Sequence, residues 1–499
     1  MEALTSGFGL ISQPDTLFYI ACGTIMGVLM GAMPGVNTSM AIVLAMTFTY
    51  AMNPIQAICF LVSVYVASNT GGGITAILFN IPGTPQAAPT TFDGYPMALR
   101  GEGGKALGYA IIASAVGSVI TAFAMLLLSP QLMRAALRFG PSELFAITFL
   151  GLSVLTCLDS GRMTQTIISG LMGLLLATVG MDPVMGFARF TWGTRTLLNG
   201  INLIPVMIGM FAAAEVFNQT VIYKKVDVKD LDLKKTKTEF VSPKELLSHK
   251  GTFLRGSVIG TLVGILPGAG ATIAGFLSYT AEVKTSKDPG SFGKGNPKGI
   301  VASETANNAS AGGALVPLLS LGIPGGNAAA VIMSALVLKG VQMGPMLLRN
   351  RPEYLHTVFA SIIYTSIFMI IAAVVIARVF AKILDIPYSV LGTVILMLCA
   401  IGSFALVRNT GDVMLMVLAG IFGYAFIKNG FNVAALVLGL VLGEICESNL
   451  RRAVSLNNGN YMAIISRPIT GILLLICVIM LLTPVVMPLI KKTRAKNTA

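Results

Sequence analysis

Residues 106–128 form one apolar run without a charge, and further long apolar runs occupy residues 357–384, 390–406 and 470–490. A helix needs about 20 mostly apolar residues to cross the hydrocarbon of a bilayer, and these stretches approach or exceed that length. Composition agrees. Hydrophobic residues make up 55% of the chain and charged residues 11%, against roughly 25% charged in soluble domains. So few charges cannot cover a water-facing surface. An outer-membrane barrel would show alternating segments of about ten residues, and these runs do not alternate. The expectation is an all-α polytopic membrane protein with roughly 10–13 membrane segments.

The opening stretch MEALTSGFGLISQPD has no lysine or arginine. It lacks the basic region of a cleaved signal, so the first span is expected to be retained. Cys22, Cys59, Cys157, Cys399, Cys446 and Cys477 stand singly, mostly inside apolar runs. They read as small buried apolar side chains. The net charge of +13 does not imply nucleic acid, because basic residues crowd into residues 223–250 and the tail 491–499. Basic loops of membrane proteins lie on the cytoplasmic side. The central linker and the C-terminus are therefore expected inside. The N-terminus, with Glu2 and Asp15 and no basic residue, is expected outside. A chain that starts outside and reaches an inside linker crosses an odd number of times, so its second half begins on the opposite face.

A repeat between the halves is legible. GVLMGAMPGVNTS (27–39) aligns with GTLVGILPGAGAT (260–272), setting Pro34-Gly35 on Pro267-Gly268 at an offset of 233 (267 − 34). GGGITAILFNIPGTP (71–85) matches GGALVPLLSLGIPGGN (312–327), setting Ile81-Pro82-Gly83 on Ile323-Pro324-Gly325, with Gly71 and Gly313 each ten residues ahead of the isoleucine. The organisation expected is two inverted-topology repeats, 1–222 and 253–460. A basic cytoplasmic linker over 223–252 joins them, and 461–499 adds an extra terminal span and a basic tail.

Each half thus carries a Pro-Gly break and an Ile-Pro-Gly break within apolar sequence. Proline removes a backbone donor and glycine loosens a helix. Within hydrocarbon an unpaired backbone group costs several kcal/mol, so interrupted or re-entrant helices survive only against protein or a water-filled cavity. A lone Pro-Gly more often marks a kink or close helix packing. Four breaks in two ordered pairs, flanked by polar residues, point instead to a binding site of the kind transporters build from discontinuous helices. The helix ends they create present N–H groups to anions.

The candidate site residues are those flanks: Gly35, Asn37, Thr38, Asn69, Thr70, Gly71, Gly83, Gly268, Thr272, Asn308, Ser310, Gly325 and Asn327 as substrate-binding, with Ser39, Ser68, Glu304 and Asn307 as cation-binding or supporting. Neutral amides and hydroxyls can turn a donor or an acceptor inward, which suits a carboxylate or a small cation. Glu304 lies about one turn before Asn307 and Asn308, so all three can share a helix face. Glu444 and Glu447, beside Arg451 and Arg452, read as a helix end. GSFGKGNPKG (290–299) fails as a phosphate loop, because glycine follows the lysine where Ser or Thr is needed. His249 and His356 are the only histidines and do not make a metal or triad site.

The stretches GAMPGVNTSMAIVLAMTFTYAMNPIQAICFL, NTGGGITAILFNIPGTPQAAPTTFDGYPMALRGEGGKALG and ETANNASAGGALVPLLSLGIPGGNAAAVIMSALVLKG resemble the large membrane subunit of tripartite tricarboxylate transporters. The likeness covers essentially the whole chain, including Asp93-Gly94-Tyr95-Pro96 and SKDPGSFGKG. It implies import of tricarboxylates or related carboxylates across the bacterial inner membrane, driven by an ion gradient. It also implies a small membrane subunit and a periplasmic solute-binding protein as partners. No cofactor is implied beyond a coupling cation, sodium or proton. A passive anion channel is the alternative reading, and an intramembrane enzyme a weaker one, since no nucleophile–base set is evident. Cysteines placed at Ser6 and Thr236 are expected to label from opposite sides of the membrane in intact cells; labelling from one side would remove the inversion.

Overall fold

The computed structural model describes residues 2–136, 139–158, 162–182, 186–222, 239, 241–266, 270–341, 343–344, 347, 350–383, 388–407 and 409–481. The linker 223–238, the Pro267-Gly268 break and the tail 482–499 lie outside them. The first half runs α1 (Glu2–Ile11), α2 (Pro14–Ala32), α3 (Thr38–Met46), α4 (Pro54–Phe79), α5 (Ala88–Leu99), α6 (Gly103–Ala136), α7 (Pro141–Leu158) and α8 (Met163–Ala177). A two-residue hairpin, β1 (Gly180–Met181) with β2 (Ala188–Arg189), leads to α9 (Leu203–Met207) and α10 (Ala214–Ile222). The second half has α11 (Pro243–Ser248), α12 (Lys250–Ile265), α13 (Gly270–Thr285), α14 (Pro297–Leu321) and α15 (Asn327–Leu338). It continues with α16 (Glu353–Ile383), α17 (Tyr388–Val407), α18 (Thr410–Lys428), α19 (Val433–Leu456), α20 (Tyr461–Ile465) and α21 (Pro468–Leu481).

The all-α expectation holds. Among the described residues, seven helices are long and apolar enough to cross a membrane, and shorter apolar helices accompany them. Ile371 of α16, Met397 of α17 and Ile472 of α21 are 61%, 60% and 60% exposed. Outward aliphatic faces of this kind suit a hydrocarbon surround and not water.

The same local chemistry recurs in both halves. Asn53 caps α4, its side chain accepting from Gln56 N at 2.9 Å, and Pro54 takes the first helical position; Asn296 and Pro297 do the same for α14. Proline costs nothing there, since that N–H has no helical partner. α2 ends at Met33 with φ −74°, ψ 116°, and α12 ends at Leu266 with φ −74°, ψ 117°. α4 stops at Asn80, left-handed at φ 55°, and α14 at Gly322, left-handed at φ 71°. Ile81 N then bonds Thr75 O at 3.4 Å, and Ile323 N bonds Pro317 O at 3.3 Å. Each bond reaches back six positions (81 − 75 and 323 − 317), one more than the bond of a Schellman cap, and takes up a carbonyl at the end of the helix.

Packing follows the same correspondence. On α2, Gly23, Gly27 and Gly31 lie against the carbonyls of Phe60, Val64 and Ser68 of α4. On α12, Gly256, Gly260 and Gly264 lie against Ala302, Ala306 and Ser310 of α14. The pairs match at offsets of 233 (256 − 23) on the first helix and 242 (302 − 60) on the second. Each Ile-Pro-Gly turn is seated on this groove: Gly83 faces Gly31 O and Gly72 Cα, and Gly325 faces Gly264 O and Ala314 Cα. Absence of a side chain lets the helices touch backbone to backbone.

The halves are interlocked. α6 packs chiefly on α14, α16 packs on α4, and α4 crosses α14. α4 and α14 are buried along nearly their whole length.

The nine residues separating the two offsets (242 − 233) fall in the connection 286–296 between α13 and α14. Gly295 N and Asn296 N donate to Asp93 Oδ1 of α5 at 2.9 and 2.7 Å, and Arg100 donates to the carbonyls of Lys294 and Gly295. α15, the counterpart of α5, is held near its end by Lys339 Nζ, which donates to Tyr50 O and Met52 O at 2.9 and 3.0 Å. At the periphery Arg189 grips Glu447 through two bonds and Arg451 pairs with Asp182, tying the hairpin to α19. Glu447 thus belongs to an ion-pair network.

Gly31→Leu and Gly264→Leu each drive a side chain into a facing backbone that cannot rotate away. The cost expected is at least the roughly 1–3 kcal/mol typical of overpacking. Thermal unfolding of the purified protein should show a large loss for both and little for Gly9→Ala, where a Cβ meets nothing within 4 Å.

Candidate functional site

Where α4 crosses α14 the two helices exchange amides. Asn69 Nδ2 donates to Asn307 O at 3.4 Å, and Asn307 Nδ2 donates to Asn69 O at 3.3 Å. One residue on, Thr70 Oγ1 reaches Asn308 Oδ1 at 3.2 Å and Met369 Sδ of α16 at 2.8 Å. Thr38, at the start of α3, donates to Asn69 Oδ1 at 3.2 Å. Gln86, just after the first Ile-Pro-Gly turn, donates to Thr38 Oγ1 at 2.6 Å and Asn69 Oδ1 at 2.8 Å. Ser310 Oγ donates to Asn307 O at 2.7 Å. Asn69, Asn307 and Asn308 are fully buried. Polar groups this deep must be paired or they destabilise the fold. Asn307 Oδ1 is buried without a hydrogen-bond partner among the described residues.

Next to this cluster lies a cavity of about 450 Å³ whose lining includes Asn37, Arg162, Met210, Phe211, Glu215 and Asn432. Its size falls within the roughly 300–1,000 Å³ of small-molecule sites. Asn37, Arg162 and Asn432 are the N-terminal cap residues of α3, α8 and α19. Three helix-capping residues, one of them an arginine, therefore line one volume together with the Glu215 carboxyl, and helix N-termini and a guanidinium are groups that can hold an anion. Among the described residues no carboxylate is within ion-pair distance of Arg162. Met210 and Phe211 come from a π-helical segment, Ile208–Ala213, a local widening often found at functional sites. Asn37 borders the cavity while Thr38 enters the polar cluster, so the start of α3 joins the two.

The sequence-read candidates fall into groups. Thr38, Asn69, Thr70, Asn307, Asn308 and Ser310 come together in the cluster. Ser39 and Ser68 are buried beside them, and Ser68 Oγ donates to Tyr65 O at 2.9 Å. Asn37 accepts from Met40 N at 2.8 Å as it caps α3. Gly35, at φ 87°, faces Gln219, whose amide donates to Glu215 at 2.7 Å. Gly71, Gly83 and Gly325 meet backbone of α2, α12 or their own helix at close range. Thr272 and Asn327 are half-buried near the starts of α13 and α15 and make no hydrogen bond to the cluster. Gly268 lies outside the described residues. Glu304 points away from Asn69, toward α5 and α6.

Gln86, Arg162, Glu215 and Asn432 were not singled out in the sequence. Gln86 carries a faint signal, since it follows an Ile-Pro-Gly break by three residues. Arg162 sits in an ordinary polar stretch, and only the fold brings it to Asn37.

The family model described as "Tripartite tricarboxylate transporter TctA family" matches residues 17–438. The uncharacterized 52.8 kDa protein in the TAR-I ttuC' 3'region of Agrobacterium vitis is 34% identical over 484 residues, 96% of each chain. An uncharacterized protein in the TAR-II ttuC' 3'region of the same organism is 36% identical over 228 residues, 45% of this chain and 94% of its own. No solved structure matches significantly.

Because Asn69, Gln86 and Thr38 share hydrogen bonds, Asn69→Ala and Gln86→Ala are expected to be non-additive. A double-mutant cycle on unfolding free energy should give a coupling of about 0.5–3 kcal/mol. Additivity within about 0.5 kcal/mol would show that the cluster does not act as a unit.

Proposed function

The chain belongs to the tripartite tricarboxylate transporter TctA family, and from that premise we propose that it carries a tricarboxylate or related carboxylate across the bacterial inner membrane by secondary active transport. It is a multi-pass membrane protein and a subunit of such a transporter. In the cycle we infer, a periplasmic binding protein delivers the substrate, a small membrane subunit completes the complex, and a cation gradient supplies the driving force.

The observation that carries this reading is the Arg162 cavity. A carboxylate there would pair with the guanidinium through parallel N–H bonds and take amide contacts from Asn37 and Asn432. Glu215, held by Gln219, lies on the same wall and disfavours excess negative charge nearby. The start of α3 then relates occupancy to the breaks: its cap borders the cavity, its first residue bonds Asn69 and Gln86, and the preceding Gly35 is the hinge. The recurring contacts at offsets 233 and 242 support a duplication; we take its halves to be inverted, with the N-terminus periplasmic and the C-terminus cytoplasmic, from the placement of the basic residues. By analogy with other inverted-repeat carriers, the break-bearing helices would move against the remainder.

Uptake into vesicles containing the chain and its partners, with citrate among the candidate carboxylates and sodium and pH gradients varied separately, tests the reading. Losing a hydrogen bond to a charged group costs roughly 1.5–3 kcal/mol. Arg162→Ala should therefore weaken apparent affinity by about ten- to a hundredfold, with Arg162→Lys milder. Unchanged affinity in normally inserted Arg162→Ala would move the site elsewhere.

A further inference from the structure

Glu304 is fully buried on α14, where α4, α5 and α6 meet it. Thr90 Oγ1 of α5 lies 2.6 Å from its Oε1, Ser114 Oγ of α6 donates to its Oε2 at 3.0 Å, and Gly73 of α4 leaves the room its Oε1 occupies. Among the described residues no cation touches it. A buried carboxylate without a counter-charge is strongly disfavoured and takes up a proton instead.

Counting hydrogens leads to the same state. Thr90 Oγ1 is also 3.0 Å from Ser303 Oγ, which is 2.9 Å from Gly299 O. Each hydroxyl owns one hydrogen. If Glu304 is ionised, Thr90 points at Glu304 and two hydroxyl hydrogens serve three contacts, so either Ser303 to Thr90 or Ser303 to Gly299 O is left without one. A protonated Glu304 supplies it: the acid donates to Thr90, Thr90 to Ser303, and Ser303 to Gly299 O.

The surrounding ionisable groups are engaged elsewhere. Asp93 of α5 is held by Gly295 N, Asn296 N and Tyr279 Oη of α13. Glu282 of α13 pairs with Arg255 of α12, and Lys105 of α6 pairs with Glu245. Tyr109 of α6 donates to Glu245. Arg134 lies near the far end of α6, Lys298 near the start of α14, and Lys250 and Lys284 at the outer ends of α12 and α13. α4 contains no charged residue, and its Cys59 and Tyr65 are buried in the apolar core.

We propose that Glu304 is the proton-carrying residue of the transport cycle. Its carboxyl holds one proton while α5 and α6 close over it. When α5, which follows an Ile-Pro-Gly break, withdraws, the O–H bond breaks and the proton passes to water on the open side. The two hydroxyls then turn round, Ser303 toward Thr90 and Thr90 toward the carboxylate, until a proton from the other side restores the acid. The polar cluster that adjoins the Arg162 cavity through α3 is one turn away, since Asn308 Nδ2 donates to Glu304 O at 3.4 Å. This rests on the transporter reading and makes the proton its coupling ion.

Two measurements test it. Infrared spectra of the purified chain in lipid vesicles at neutral pH should show a protonated-carboxyl band that Glu304→Gln removes; an unchanged spectrum overturns the proposal, whatever is transported. In sodium-free vesicles with both partners, a gradient of about one pH unit sustains about tenfold citrate accumulation per coupled proton. Glu304→Gln should reduce that ratio to about one while impairing citrate–citrate exchange far less, and Thr90→Val should lower it in between. Gradient-driven accumulation by Glu304→Gln equal to wild type overturns the proposal. So does accumulation by wild type that requires sodium and ignores pH. Wild type moving no citrate in any arm, with the carboxyl band present, counts against the tricarboxylate reading and not against the protonated acid.

Discussion

A peptide group inside hydrocarbon has to find its partner within the protein. Everything at the centre of this molecule follows from where that rule is met without helix. At Asn80 and Gly322 the chain leaves a buried helix, and carbonyls at the helix end are taken back by bonds from Ile81 N to Thr75 O and from Ile323 N to Pro317 O. The turn itself is then pressed onto the carbonyl of Gly31 or Gly264. That contact is available only because α2 and α12 present glycine where they meet α4 and α14. The glycine groove, the capped break and the polar residues beside it are therefore one device. The break needs the groove to be tolerated, and the polar cluster needs the break to bring Gln86 back against Asn69.

Much of this was legible in the sequence, for identifiable reasons. Apolar runs report the solvent directly, and Pro-Gly and Ile-Pro-Gly are conspicuous because helices in lipid have few licences to stop. Asn69, Thr70, Asn307 and Asn308 could be picked out because amides are expensive in an apolar helix unless paired. The identity of their partners was not legible. The exchange between Asn69 and Asn307 spans 238 residues and depends on how two interlocked halves cross. Gly71, Gly83 and Gly325 were read as places for a ligand to approach, and the structure shows backbone approaching them. A missing Cβ looks the same in sequence for either purpose.

Charge was the poorest guide. Arg162 looks like any loop arginine until α8, α3 and α19 are brought end to end around it. Glu304 was noticed as sharing a helix with Asn307 and Asn308. Helical periodicity spread over one turn could not tell that its carboxyl faces Thr90 and Ser114, on elements about 190 to 214 residues earlier.

The connection 286–296 makes the duplication imperfect in a way that matters. A carrier made of two identical inverted halves would be degenerate: its two end states would be mirror equivalents of equal energy, and only the gradients outside would choose between them. Here the longer connection clamps α5 through Asp93 and Arg100, whereas among the described residues the matching hold on α15 comes from Lys339. If the proposed inverted halves alternate in a transport cycle, its two ends would differ in intrinsic energy. On that proposal the chain itself would favour a resting orientation, and loading would work against that preference or with it.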